Sequence, residues 1–291
     1  MCFMLKLFIQ SIRPAQWTKN GLLFAGLIFS KQMDEPSVFL KSFAGFAAFC
    51  ALSACVYLFN DILDRNRDRL HPVKSQRPIA SGALPVRAAA SGSVFLGASG
   101  LISAFLIDPG FGWISVAYMA MMIGYGIVLK RIVILDVIVI ALGFVLRAAA
   151  GAEIVNAAIS SWLLTCTIFL ALFLALSKRR HEIHVLGEKA AQHRANLTEY
   201  SPVFIDQMIS VVTASTVMAY ALYTTSIETI EKFGTRNLIY TLPFVLYGIF
   251  RYLYLVHIRN EGGSPEKILL HDKPMIVNVA LYLAAVLIIL Y

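Results

Sequence analysis

Residues 60–82 read NDILDRNRDRLHPVKSQRPIASG. Asp61, Asp64 and Asp68 are spaced three and four apart, so on a helix they share one face. Asn60 lies beside them, while Arg65 and Arg69 point elsewhere. The stretch follows directly on an apolar run long enough to cross a bilayer. Three carboxylates this close repel one another unless a cation sits between them. Oxygen ligands suit Mg²⁺, which keeps some of its waters and bridges to substrate phosphates. The plainer alternative is a solvated helix end with Asp–Arg pairs. The cations that follow, Lys74, Arg77 and Arg87, favour a diphosphate clamp, with metal and basic side chains sharing the phosphate oxygens.

The rest of the chain is lipid-like. It is 58% hydrophobic and 14% charged, where a soluble domain has about 25% charged residues. Its mean hydropathy is +0.72. A core cannot hold that much apolar surface, so an all-α integral membrane protein is expected. Nine candidate spans follow from the apolar runs: 14–33, 38–60, 86–107, 111–129, 132–152, 160–178, 203–227, 236–257 and 274–291. The first is unusual, because Arg13, Gln16, Lys19 and Asn20 sit in or before its first turns and should face a wet, protein-lined cavity. Residues 1–17 read as an interfacial segment, not a cleaved signal. Asp108-Pro109-Gly110, Ser201-Pro202 and Ser264-Pro265 read as helix starts. With no linker or low-complexity stretch, residues 1–291 are expected to form a single membrane domain. Cys2, Cys50, Cys55 and Cys166 show no metal-ligand spacing and read as packing residues. Gly92, Gly97 and Gly100 fit close helix packing better than phosphate binding.

Charge sets the orientation. All Lys and Arg except Lys31, Lys41, Arg147, Lys232 and Arg236 lie before or at the start of the first span, or in or flanking the loops after spans two, four, six and eight. That places the N-terminus, these loops and the aspartate stretch on the cytoplasmic side of the inner membrane. The net charge of +8 then reflects topology and an anion site. No basic domain that could reach a groove of nucleic acid is present in the pattern.

The stretch NDILDRNRD, with RPIASG after it, resembles the aspartate motif of the UbiA-type intramembrane prenyltransferase superfamily. The resemblance implies nine helices around a central cavity, and adds a family tendency toward homo-oligomers. Prenyl-transferring members carry a second acidic motif at the end of the sixth helix. Here that place reads ALSKRRHEIHVLG, with Lys178, Arg179 and a single acidic residue, Glu182. This departure, with RPAQWTKN (13–20), LSKRRHE, YSPVFIDQM (200–208, opening on Tyr200) and SPEKILLHDKP (264–274), is similar to the decaprenyl-phosphate phosphoribosyltransferase branch. Such enzymes move a 5-phosphoribosyl group from phosphoribosyl pyrophosphate (PRPP) to a polyprenyl phosphate.

That chemistry suits the residues. Mg²⁺ at Asp61, Asp64 and Asp68 would hold the diphosphate as the C1–O bond breaks. The lipid phosphate is already ionised, so no strong base is needed; positioning and electrostatics suffice. Candidate substrate-binding residues are Lys19, Asn20, Asn60, Lys74, Arg77, Tyr125, Lys130, Arg147, Lys178, Arg179, Glu182 and Tyr200. Tyr125 and Lys130 resemble a Tyr–Lys pair of the superfamily. Asp136 and Arg147 lie about 16 Å apart along one helix and are expected to serve different partners. Two alternatives stay open: prenyl transfer from an allylic diphosphate to an aromatic or small polar acceptor, and a transporter with charged interior helices.

Overall fold

A computed structural model of the chain describes residues 2–30, 32–157, 161–186, 199–259, 261–263 and 265–290. Among these residues the regular structure is helical throughout, with no β-strand. The helices are α1 (Cys2–Ile12), α2 (Phe24–Phe29), α3 (Pro36–Leu63), α4 (Arg65–Asp68), α5 (Val86–Ile107), α6 (Pro109–Ile127) and α7 (Leu135–Ile154). They continue with α8 (Ser161–Leu186), α9 (Pro202–Thr225), α10 (Ile227–Phe233), α11 (Leu242–His257), α12 (Pro265–His271) and α13 (Lys273–Leu290). Eight described segments are long and apolar enough to cross a membrane: α3, α5, α6, α7, α8, α9, α11 with its leading turn, and α13. They coincide with eight of the nine expected spans, and the chain is a multi-span membrane protein.

The first expected span, 14–33, takes another form. α1 stops at Ile12, Arg13 adopts a left-handed backbone (φ 52°), and Pro14–Leu23 forms a 3-10 stretch before the six-residue α2. Polar Gln16, Lys19 and Asn20 explain the choice: a lipid-facing α-helix would have to carry them through hydrocarbon. Asn20 is fully buried in protein instead.

Where the spans do form, their ends follow the expected chemistry. Asp108 Oδ1 accepts from Phe111 N–H at 2.9 Å, and Pro109 opens α6. Ser201 Oγ accepts from Phe204 N–H at 3.1 Å, and Pro202 opens α9. Ser264, the third expected cap, lies outside the described residues.

The contacts divide the chain into two compact units. The first contains Met1–Val139 and Leu146–Ala157; the second contains Ile140–Val145, Ala158–Ala190 and Leu197–Tyr291. In the first unit α3 is the hub: 61% of its most apolar window is buried, against 22% for α5. Small residues of α5 let the two helices close up. A Cβ on Gly97 would lie 2.9 Å from Cys55 Sγ, and one on Gly100 2.8 Å from Leu52 Cδ2. Ser93 Oγ donates to Cys55 O at 2.9 Å beside them. In the second unit α8 packs on α9, and α11 on α13. Arg251 of α11 grips Asp272 in a two-point pair (3.1 and 2.8 Å), and Asp272 Oδ1 also accepts from Met275 N–H at 2.9 Å, capping α13.

Candidate active site

The aspartate stretch is not one continuous helix. α3 ends at Leu63, and Asp64 takes a conformation outside the helical region (φ −91°, ψ 3°) before α4 restarts at Arg65. The three carboxylates, which the sequence places on a single ridge, are committed to different cations. Asp61 and Asp68 converge on the same atom: Arg77 Nη1 lies 3.0 Å from Asp61 Oδ1 and 2.6 Å from Asp68 Oδ2. Asp61 Oδ1 also accepts from Arg13 Nη2. Asp64 has a different cation: Lys130 Nζ sits 2.6 Å from each of its oxygens. Among the described residues, no group of three Asp, Glu, His or Cys side chains is arranged to hold a metal ion.

Each cation is positioned by local structure. Arg77 follows a short 3-10 turn, Lys74–Gln76, and precedes Pro78. Behind it Ile79 and Leu84 bury against Leu58 and Ala89, which locks the loop to α3 and α5. Arg69 Nε donates to Ala80 O at 2.9 Å and pins the same loop to α4. Gly82 closes it at φ +84°, where a side chain would be strained. This is the structural content of RPIASG. Arg13 projects from the left-handed turn after α1, with its guanidinium 5.3 Å from the centre of the Tyr57 ring. Lys130, 8% exposed, lies on the 3-10 turn Leu129–Arg131 after α6.

Asp61 and Asp68 are 4% and 5% exposed. Burial pushes the Asp68 carboxyl above its ordinary range, against the downward pull of Arg77 and Lys74. Asn60, the last candidate oxygen of this stretch, packs over Gly126, and its buried Oδ1 has no hydrogen-bond partner among the described residues.

A divalent ion can be tested against this donor set. The carboxylates of Asp61 and Asp68 already share one cationic group, and the amide oxygen of Asn60 in the same stretch is unsatisfied. Hard oxygen donors gathered around a positive charge fit Mg²⁺. The fit is to Asp61 and Asp68, with Asp64 committed to Lys130.

Deeper in the first unit lies a second polar cluster. Arg147 Nε donates to Asn20 Oδ1 at 2.8 Å, and Arg147 Nη2 donates to Tyr118 Oη at 2.8 Å. Ser53 Oγ donates to the same Asn20 oxygen at 3.2 Å. The Arg147 guanidinium lies 4.8 Å from the Tyr118 ring centre and 5.8 Å from that of Phe49. Arg147 therefore fastens the Pro14–Leu23 stretch, which Arg13 precedes. Lys19 Nζ is bonded to Gln16 Oε1 at the surface of that stretch, Lys74 is half-buried in the loop before Arg77, and Tyr125 is half-buried on α6.

In the second unit, Glu182 pairs with Arg179 at 2.5 Å, one turn away on α8. Arg179 is 2% exposed, so its side of the pair is internal, while Lys178 is half-buried. Tyr200, 3% exposed, stacks on Phe204 with ring centres 6.4 Å apart. Residue spacing does not single out Ser53 or Tyr118; it reads Arg13 as facing a wet, protein-lined cavity, without a place among the site residues.

The UbiA prenyltransferase family model matches residues 21–271. A decaprenyl-phosphate phosphoribosyltransferase of Corynebacterium glutamicum is 31% identical over 288 residues, covering 97% of this chain and 86% of the relative. One from Mycobacterium tuberculosis is 29% identical over 282 residues, covering 96% and 92%. The fold is similar to that of a UbiA homolog from Archaeoglobus fulgidus bound to DMAPP and Mg²⁺, with a TM-score of 0.75 at 22% identity over 97% of this chain and 98% of that one. The chain belongs to the UbiA prenyltransferase family.

Proposed function

We propose that this protein transfers a 5-phosphoribosyl group from PRPP to a polyprenyl phosphate of the decaprenyl type and releases pyrophosphate. Similarity to decaprenyl-phosphate phosphoribosyltransferases along nearly the whole chain supports the reaction. The observation that carries it to these residues is the shared seat of Asp61 and Asp68 around one cationic group, with Arg13 on Asp61 and Lys130 on the neighbouring Asp64. Such a site takes a diphosphate.

In the transfer, an oxygen of the lipid phosphate bonds to C1 of the ribose. The C1–O bond to the diphosphate breaks, and the diphosphate leaves with the electron pair. Asp61 and Asp68 would hold Mg²⁺, with Asn60 Oδ1 as a further oxygen. Asp64 joins that set only by releasing Lys130. When bound, the metal neutralises the charge that grows on the diphosphate. Arg13 and Arg77, and Lys130 once it leaves Asp64, would hold phosphate oxygens more strongly as negative charge accumulates. Lys19 and Lys74 supply further charge for the 5-phosphate or the lipid phosphate. Lys178 and Tyr125 remain candidates for the same task. Arg147 and Asn20 act from behind, by fixing the segment next to Arg13. Arg179, Glu182 and Tyr200 support the end of α8 and the start of α9. No side chain need take a proton from the lipid phosphate, which is ionised near neutral pH.

The whole chain acts as a single domain in the cytoplasmic membrane, with the N-terminus and the aspartates on the cytoplasmic face. Positive charge concentrated at one set of span ends supports that orientation. The test is a mass-spectrometric survey of products made by the purified protein in lipid with Mg²⁺, with PRPP offered against allylic diphosphates and several polyprenyl phosphates as acceptors. A phosphoribosyl lipid is expected. Prenylation of an aromatic acceptor, with PRPP untouched, would replace this reading by the prenyltransferase one.

A further inference from the structure

The position of Arg77 raises a question about order of binding. One of its nitrogens lies within hydrogen-bond distance of both Asp61 and Asp68, where the carboxylates converge. A divalent ion between those oxygens needs the same space. It would also be repelled by a guanidinium left in place. We propose that Arg77 holds the metal's place in the resting protein and is displaced onto the phosphate-bearing donor when the metal enters. This rests on the reading of Asp61 and Asp68 as metal ligands.

The arrangement of the groups supports an exchange carried by one side chain. The carboxylates are the fixed partners: the side chains of Asp61 and Asp68 are 5% and 7% exposed, whereas that of Arg77 is 30% exposed. The backbone behind Arg77 is anchored by Ile79 and Leu84 in the core and by the bond from Arg69 to Ala80. The loop therefore stays put while the long Arg77 side chain swings. Arg13 still neutralises Asp61 after Arg77 has left. Asp68 is bonded to the departing Nη1 at 2.6 Å, closer than Asp61 at 3.0 Å, so it gains most from the incoming ion.

Charge accounting gives the consequence. Asp61, Asp68, Arg13 and Arg77 sum to zero, which gives a free metal ion little reason to enter. A donor phosphate offers Arg77 a new partner and frees the seat. Metal and donor then bind as a coupled pair, and free metal binds weakly. The order keeps the site from filling with metal before there is a diphosphate to activate.

Mn²⁺ binding, read by electron paramagnetic resonance on detergent-purified protein without donor, tests this. Arg77→Gln should bind Mn²⁺ at least tenfold more tightly than the parent. Lys74→Gln, which removes a nearby charge without vacating the seat, should change binding less than threefold. Asp61→Asn with Asp68→Asn in the Arg77→Gln background should abolish the gain. Arg77→Lys serves if the glutamine variant elutes as aggregate, and should show a smaller gain of the same sign. Equal or weaker binding by the Arg77 variants, an equal gain in Lys74→Gln, or no Mn²⁺ binding by any of them would overturn the proposal. No sugar donor is present, so a failure here leaves the phosphoribosyl reading standing, and a failed transfer assay leaves this result standing.

Discussion

Gly151→Ala probes the packing that holds Arg13 in reach of Asp61. Gly151 lies on α7, one turn beyond Arg147, and the two face the same segment. A Cβ at Gly151 would fall 2.7 Å from the Leu23 carbonyl carbon, and even closer to its oxygen. A Cβ on Gly26, from the other side, would fall 2.5 Å from Gly151 O. Two backbones are in direct contact, and neither can rotate out of the way. Ordinary contact begins near 3.4 Å, so alanine must push the Pro14–Phe29 segment away by about 0.7 Å or more. The overpacking costs roughly 1–3 kcal/mol. A shift of that size also stretches the 2.8 Å bond from Arg147 to Asn20 beyond hydrogen-bond range, and a bond to a charged group is worth about 1.5–3 kcal/mol. Thermal unfolding in detergent should drop by several degrees, and turnover should fall with it because Arg13 moves off Asp61. Gly124→Ala is the control: its Cβ would meet only Leu129 Cδ1 at 3.9 Å, so it should be neutral or slightly stabilising. Equal melting of the two variants would refute the claim that this segment rests on α7.

Three further outcomes follow from the site and its supports. Asp68→Asn should lower phosphoribosyl transfer about 100-fold or more while the protein still elutes as a folded species, as measured by steady-state turnover and size-exclusion chromatography. Asp64→Asn and Lys130→Gln should each cost about 1–3 kcal/mol, less than a fully buried pair because the Asp64 side chain is 29% exposed; the double variant should cost less than their sum in a thermal double-mutant cycle. The hydrogen bond from Arg251 holds the Asp272 carboxyl below its usual range, so the pair stabilises the fold above the unfolded-state value near pH 4 and loses that contribution as pH falls through the lower folded-state value. Asp272→Asn should therefore melt below the parent at pH 7, and the gap should narrow by about pH 3.

The spans were legible because lipid demands long apolar runs and because turn chemistry is local. Asp108 and Ser201 cap the helices that their neighbours Pro109 and Pro202 open. The aspartate stretch and its following loop were legible as a cation-holding unit for the same reason: RPIASG carries its own anchor, Ile79, and its own turn residue, Gly82. What the sequence hid depends on distant partners. Helical spacing puts Asp61, Asp64 and Asp68 on one face, but it does not announce that Asp64 pairs with Lys130, 66 positions away. The pairing of Glu182 with the buried guanidinium of Arg179, one turn away, is likewise not singled out by the motif. The first span fails as an α-helix because Arg13 and Asn20 each find a partner far along the chain, Asp61 and Arg147. An apolar stripe cannot announce such long-range pairs.

The most direct measurement is an experimental structure of the protein in lipid with Mg²⁺ and PRPP. The account predicts an ion between Asp61 and Asp68, in contact with the donor's diphosphate, and the Arg77 side chain turned onto a phosphate. PRPP bound away from these carboxylates, or an ion-free Asp61–Asp68 pair still clasping Arg77 with the donor present, would contradict it.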